Sequence, residues 1–187
     1  GMVFTDAHSN SAVCTPTRYG VLTGRYCWRS RLTRGVLYGY SEPLIEEGRM
    51  TVASMLRDQG YTTACIGKWH IGMDWALKES SRPAGAERPP QKLSRDERKY
   101  DDIIDFTKPV RNGPIDVGFD SYFGISASLD MSPYVFIEDD RVTEIPTEIV
   151  PAGQTPEARA REGIGAKGWK HEAVLPALEQ KSIRFIK

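Results

Sequence analysis

The sequence has no excess of either charge, no long apolar run and few cysteines, and each absence excludes a class of protein. Lys and Arg total 25, as do Asp and Glu, so the net charge does not predict binding to nucleic acid or an anionic membrane. No apolar run approaches the length of a membrane span. Three irregularly spaced cysteines form neither a disulfide framework nor a zinc motif. The remaining composition, 40% hydrophobic and 27% charged, is typical of a globular domain with its own core.

The segment Cys14-Thr15-Pro16-Thr17-Arg18 predicts the start of a helix. Thr15 is a good N-cap, and Pro16 suits the first helical position, where no N–H is needed. Cys14 would then stand just before the helix, in the partial positive field that a helix start presents to anions. Arg18 lies in the first turn and can reach back toward Cys14. The segment therefore predicts a reactive sulfur beside a guanidinium, an arrangement suited to a tetrahedral oxyanion.

Residues 51–66 predict a helix that feeds directly into a strand. Thr51 is placed to cap this helix, apolar residues recur on one face, and Gly60 ends it. The run 61–66 predicts a strand that is buried on both faces and parallel to a first short strand over residues 2–7. A helix followed by such a strand is part of a βαβ unit, so these residues predict an α/β fold.

The segment Gly67-Lys68-Trp69-His70 follows this predicted strand. In α/β sheets, ligands bind beyond the carboxyl ends of strands. In an extended segment, Lys68 and His70 point the same way while Trp69 packs on the opposite face. The segment therefore predicts an ammonium and an imidazole presented side by side.

Residues 79–116 are polar and proline-rich in their first part, and we interpret them as a surface loop insertion. Residues 118–125 return to the core as a strand. Asp130 lies just beyond this strand, where it is placed to contact a polar substrate.

Asp139-Asp140 predicts the turn of a hairpin rather than a metal-binding pair. Residues 169–187 predict a helix with an apolar stripe at Leu175, Leu178, Ile183 and Ile186. Pairing of Cys27 with Cys65 is left open by the sequence.

Three segments carry a family resemblance: CTPTR at 14–18 with LTGR at 22–25, GKWHIG at 67–72, and GFDSYFG at 118–124. Together they resemble the type I, formylglycine-dependent sulfatases, the arylsulfatase-like branch of the alkaline phosphatase superfamily. Thr17 stands where the commonest form of the first motif has Ser. The resemblance implies an α/β fold with an alkaline-phosphatase-like, mostly parallel sheet flanked by helices. Residues 1–187 would form an incomplete part of a single catalytic domain.

The resemblance also implies the chemistry of the site. Cys14 would be oxidised to formylglycine, whose hydrated aldehyde is the nucleophile and a ligand of a divalent cation, usually Ca²⁺. Arg18 and Lys68 would hold negative charge, with Lys68 contacting the sulfate, and His70 would hydrogen-bond the formylglycine hydroxyl. The family's paired acidic metal ligands have no matching positions here. We therefore expect residues 1–187 alone to be inactive.

Two alternative functions stay open at this point. A phosphatase or phosphodiesterase of the same superfamily would use Ser or Thr with two metals, against which Cys14 argues. A non-catalytic truncated product or assembly module is the other alternative, and open sheet edges would favour its self-association.

Several expectations concern partners and compartment. The expected partners are an aryl, glycan or lipid sulfate ester and a formylglycine-generating maturation enzyme, with no nucleic acid and no membrane. No signal peptide is recognisable, and the first residues are typical of a chain that begins in mid-domain. The family resemblance favours a periplasmic or secreted location.

Overall fold

The computed structural model describes residues 1–81, 98–154 and 159–187. In chain order its helices and strands are α1 (Cys14–Thr23), α2 (Val52–Asp58), β1 (Ala64–Lys68), α3 (Arg98–Asp101), β2 (Ser121–Ile125), β3 (Ile137–Glu138), β4 (Arg141–Val142), β5 (Glu148–Val150), β6 (Gly153–Gln154), β7 (Arg159–Ala160), β8 (Gly163–Gly165) and α4 (Val174–Ile186). Short 3₁₀ turns lie at Cys27–Arg29, Glu79–Ser81, Ile115–Val117 and His171–Ala173. Every helix in these ranges is too short or too polar to cross a membrane.

A four-stranded sheet in the order β1-β2-β3-β4 organises the described residues. β1 and β2 are parallel, with register from Ala64 opposite Ser121 to Lys68 opposite Ile125, and the other two pairs are antiparallel. α4 packs against β1 and β2, while α1 packs against α2. The predicted α/β class is confirmed. The sheet is mixed rather than mostly parallel in its described part, because a hairpin extends it past β2.

Residues 2–7 do not form the predicted strand, and β1 pairs in parallel with β2 instead. Met2, Val3 and Phe4 are each at least three-quarters exposed. β-branched and aromatic composition favours a strand only where a neighbouring strand accepts its hydrogen bonds and covers its side chains. β1 also starts later than predicted, and its side chains are half-buried rather than buried on both faces.

The predicted helix capped by Thr51 is confirmed as α2. The Thr51 hydroxyl accepts from the backbone N–H of Ser54, and the Ser54 hydroxyl accepts from the N–H of Thr51, which completes a capping box. Gly60 follows the helix with φ of 84°, a conformation that favours glycine. The Thr51 hydroxyl also donates to the Val117 carbonyl at 2.6 Å, so the cap ties α2 to the segment that leads into β2.

The main core is built largely from segments without helical or strand periodicity. The loop over residues 27–45 contributes the buried side chains Leu32, Leu37, Tyr40 and Leu44. Trp75 and Phe106 pack edge-on to each other, with ring centroids 5.6 Å apart. In an irregular segment, buried side chains do not recur at a fixed spacing. The sequence therefore shows no hydrophobic periodicity that would predict their burial.

The predicted surface loop over 79–116 is wrong for its second half, while its part at 82–97 lies outside the described residues. Ile104 is fully buried, and Asp101 is buried where it accepts hydrogen bonds from the Tyr40 hydroxyl (2.5 Å) and the Ile164 N–H (2.8 Å). Burial raises the pKa of Asp101, and these bonds oppose the rise. The polar residues of this segment are therefore not all on the surface, since Asp101 is buried and hydrogen-bonded.

The hairpin predicted at Asp139-Asp140 is confirmed, since these residues join β3 to β4 and Asp139 has φ of 54°. α4 is also present, with Pro176 in its first turn. Its predicted apolar stripe is only partly buried: Leu178 is half-buried, whereas Leu175 is 74% exposed and Ile186 is 81% exposed.

Candidate active site

α1 begins two residues earlier than predicted, at Cys14 rather than Pro16. Val13 is the N-cap, and Pro16 is the third helical residue, still among the positions whose N–H has no helical partner. Thr15 does not cap the helix because its buried hydroxyl bonds to a distant part of the chain. Cys14 therefore lies in the first turn, half-buried.

Lys68, the last residue of β1, carries a cation that interacts with the Cys14 sulfur. Its ammonium donates to the Ser128 hydroxyl at 2.9 Å. Burial lowers the pKa of Lys68, while the Cys14 sulfur and the Asp130 carboxylate act in the opposite direction. Lys68 thus links the start of α1 to the loop that follows β2.

Arg18 reaches the end of β1. Its Nη1 donates to the Lys68 carbonyl at 2.6 Å, and its Nε is buried with no hydrogen-bond partner among the described residues. The guanidinium is therefore held at the end of β1, where its charge lowers the pKa of Lys68, and its Nε–H is a buried donor without a partner among the described residues. Two cations in this proximity favour an anion between them.

His70 is fully buried and has a left-handed backbone with φ of 55°, which is uncommon outside glycine. Its Nε2 donates to the Leu37 carbonyl at 2.8 Å, because a carbonyl can only accept. Its Nδ1 is buried and has no partner in the part of the chain that is described. Burial lowers the pKa of His70 to about 4, and nearby Lys68 and Arg18 add to the effect. The imidazole is therefore neutral at pH 7, with a lone pair at Nδ1.

Because His70 has a left-handed backbone, the side chains of residues 68–70 do not alternate between two faces as they would in an extended strand. Trp69 packs in the core as predicted, with its Nε1 donating to the Gly72 carbonyl at 2.7 Å. His70 is buried rather than presented beside Lys68 on an extended strand. The imidazole and the ammonium remain close enough for the charge of Lys68 to lower the pKa of His70.

The parallel pairing of β1 and β2 brings the loops after both strands together. The N–H groups of Trp69 and His70 donate to the carbonyls of Ile125 and Ser126, each at 2.9 Å. Sequence analysis named Asp130 in the second loop and missed Ser128. The sequence shows that Ser128 lies beyond the end of a predicted strand. Only the register of β1 and β2 brings its hydroxyl within hydrogen-bond distance of the Lys68 ammonium.

Asp130 forms an ion pair with Arg161 at 3.1 Å. It lines a cavity of about 940 Å³ together with Arg18, Lys68 and Ser128. The rest of the lining includes His171, Glu172 and apolar residues of α4. This volume suits a small organic ligand. Contact of Asp130 with a substrate remains a prediction.

A divalent cation does not fit the described residues. In ranges 1–81, 98–154 and 159–187, no three His, Cys, Asp or Glu side chains come together in a way that would hold a metal ion. The Lys68 ammonium interacts with the sulfur of Cys14, the predicted ligand.

A formylglycine at residue 14 does fit. Cys14 is a free cysteine, as are Cys27 and Cys65, so the pairing left open by the sequence is not formed. His70 presents a buried acceptor, Nδ1, that lacks a donor. A hydroxyl is the kind of donor that this acceptor needs, and residue 14 adjoins Thr15, whose own hydroxyl binds the His70 carbonyl.

Comparison with known proteins finds relatives of this chain. The sequence profile of the Sulfatase family matches residues 1–149. The chain is 35% identical over 142 residues to N-acetylgalactosamine-6-O-sulfatase of Bacteroides thetaiotaomicron, covering 76% of this chain and 23% of that protein. It is 38% identical over 90 residues to human arylsulfatase A, covering 48% and 16%.

A solved structure from work on glycosaminoglycan metabolism by Bacteroides thetaiotaomicron superimposes with a TM-score of 0.67 at 26% identity. The match covers 95% of this chain and 38% of that chain. This chain thus spans less than half of the structure that it resembles and 23% of the first curated relative.

Proposed function

This chain belongs to the sulfatase family, and we propose that the protein hydrolyses a sulfate ester by means of a formylglycine formed from Cys14. The observation that supports this most directly is the position of Lys68, whose ammonium bonds to Ser128 and interacts with Cys14. Arg18 adds a second cation at the same strand end. A sulfate ester is an anion with several oxygens, and this arrangement of donors matches it.

The formylglycine supplies a hydrated aldehyde, whose two hydroxyls provide both a nucleophile and a means of releasing sulfate. Lys68 and Arg18 neutralise the charge that develops on the sulfate oxygens, in a partly buried site where such charges interact strongly. Ser128 orients the Lys68 ammonium. His70, which is neutral at pH 7 because its pKa is about 4, accepts a hydrogen bond at Nδ1 from a hydroxyl on residue 14.

The leaving alcohol lies in the cavity beside these groups. Its apolar wall, formed by Val174 and Leu178 of α4, suits the hydrophobic part of an aryl, glycan or lipid ester. Asp130, which also lines the cavity, contacts a polar group of the substrate. The relatives named above include an arylsulfatase and a sulfatase of N-acetylgalactosamine, so aryl and glycan esters are the first to test.

Residues 1–187 by themselves are inactive under this proposal, because the family's paired acidic metal ligands have no matching positions in them. The partners are a maturation enzyme that converts Cys14 and a sulfate ester, with no nucleic acid and no membrane. The protein acts in the periplasm or outside the cell.

Mass spectrometry and an ester assay test the proposal together. We expect the tryptic peptide that ends at Arg18 to contain a residue 14 in which oxygen replaces sulfur and two hydrogens are lost. The protein should hydrolyse 4-nitrophenyl sulfate or N-acetylgalactosamine 6-sulfate in preference to 4-nitrophenyl phosphate. Lys68→Met should lower kcat/KM by about a hundredfold or more, as expected for loss of a charge-stabilising group.

Lys78→Met is the matched control, because the Lys78 ammonium is exposed and bonds only to the Asp102 carbonyl among the contacts described for it. It should leave kcat/KM unchanged. Full sulfate-ester turnover with an unmodified Cys14, or turnover of the phosphate ester alone, would contradict the proposal. Turnover by residues 1–187 alone would contradict the inactivity of this segment.

A further inference from the structure

Thr15 lies at the junction of α1, the loop over residues 27–45 and the segment after β1. Its side chain is fully buried. The hydroxyl donates to the His70 carbonyl at 2.9 Å and accepts from the Leu37 N–H at 3.2 Å. The hydroxyl thus uses its single proton and one lone pair within the protein.

A third hydrogen bond closes these contacts into a ring. The His70 Nε2 donates to the Leu37 carbonyl at 2.8 Å, so Leu37 bonds to Thr15 through its N–H and to His70 through its oxygen. The His70 carbonyl is thereby tied to Thr15 and the His70 imidazole to Leu37, and these two residues are bonded to each other. Because the ring requires the proton on Nε2, it leaves the lone pair on Nδ1.

The backbone of His70 gives this ring a second role. A non-glycine residue with φ of 55° persists only where the surrounding structure holds it. The Thr15 hydroxyl binds the carbonyl of that same residue, and the Ser126 carbonyl binds its N–H at 2.9 Å. Loss of the hydroxyl would free one side of the His70 peptide and would leave the Leu37 N–H buried with no side-chain acceptor.

We propose that Thr15 is a positioning residue, whose hydroxyl holds Leu37 against His70 and so selects the His70 tautomer that keeps Nδ1 free to accept a hydrogen bond. The tautomer itself is a property of the described fold. Its consequence for catalysis rests on the proposed function, in which Nδ1 receives a hydroxyl of residue 14. Thr15 acts on the reaction only through His70.

Long-range ¹H–¹⁵N NMR of the imidazoles in residues 1–187 tests the tautomer directly. The chain has three histidines, His8, His70 and His171, and the spectrum of a His70→Gln variant assigns the His70 signals. At pH 7.5 we expect His70 to show one protonated nitrogen, Nε2, and one unprotonated nitrogen, Nδ1. Thr15→Val should replace this pattern with an average of both tautomers, and Thr15→Ser should restore it.

Thr23→Val is the matched control on the same helix, because the Thr23 hydroxyl bonds to the Tyr19 carbonyl at 2.7 Å and to none of the ring members. It should leave the His70 pattern intact. An unchanged pattern in Thr15→Val overturns the proposal. If Thr15→Val does not fold, the wild type and Thr15→Ser still decide, since a proton on Nδ1 in either one overturns it.

The effect of Thr15 on catalysis is measured with the whole protein and with 4-nitrophenyl sulfate as the substrate. Thr15→Val should lower kcat by about tenfold or more with little change in KM, as expected when a reacting group is displaced. A changed tautomer with unchanged kcat overturns the positioning role. Absence of sulfatase activity in every variant refutes the proposed function instead, while the NMR result stands on its own.

Discussion

His70 should make the free energy of unfolding fall as the pH is lowered from 6.5 toward 4. Its imidazole is fully buried, and burial lowers its pKa from 6.5 to about 4. In the unfolded chain it titrates near its ordinary value, so in this window the unfolded state binds a proton that the folded state does not. The contribution of His70 is therefore complete above pH 6.5 and is lost as the pH falls through this range.

The two pKa values determine the magnitude. At 1.36 kcal/mol for each pKa unit, the difference between 6.5 and about 4 corresponds to about 3 kcal/mol, of which about 2 kcal/mol is lost by pH 5. Solvent screening does not reduce this figure, because no part of the side chain is exposed. For a domain whose total stability is on the order of 5–15 kcal/mol, the effect is large.

Urea denaturation at pH 7.5 and pH 5, on the wild type and on His70→Gln, measures this term. Glutamine keeps an amide donor for the Leu37 carbonyl but does not titrate. The wild type should lose about 2 kcal/mol more than the variant between the two conditions. Other groups, such as the buried Asp101, titrate in both proteins and cancel in the difference. Equal losses in the two proteins would refute the assignment of a buried, neutral His70.

Two further substitutions test how the fold holds the site. Gly124→Ala would place a Cβ 1.7 Å from the Gly67 carbonyl oxygen, so thermal unfolding by circular dichroism should show a loss of roughly 3 kcal/mol or more. Gly153→Ala, with open space around it, should change little, and equal effects of the two would count against the register of β1 and β2. Thr51→Ala removes the α2 cap and the bond to Val117 and should cost about 1–2 kcal/mol in urea denaturation, most of it restored by Thr51→Ser. A neutral Thr51→Ala would show that neither bond stabilises the fold.

The features that sequence analysis predicted correctly depend on neighbours along the chain. The cap at Thr51 and the glycine at Gly60 act within the helix that they bound, so α2 was predictable. The turn at Asp139-Asp140 was predictable for the same reason. The family was predictable because its motifs at 14–18 and 67–72 are short and specific, and the comparisons confirm it.

Elements whose existence depends on distant partners were predicted wrongly. Residues 2–7 have strand composition but no strand, because no neighbouring strand among the described residues covers their exposed side chains. Residues 101–110 look polar but supply Ile104 and Phe106 to the core. An irregular segment shows no period, so its burial depends on what the rest of the chain packs against it.

The same distinction between local and distant determinants applies to the candidate site. By itself the sequence determined which reactive groups are present, namely Cys14, Arg18, Lys68 and His70, and that two of them follow a strand. Only the tertiary structure decided how these groups meet, including the contact of Lys68 with Ser128 and the protonation pattern of His70. Hydrogen bonds across such separations depend on strand register and loop packing, which the order of residues specifies only through the whole fold.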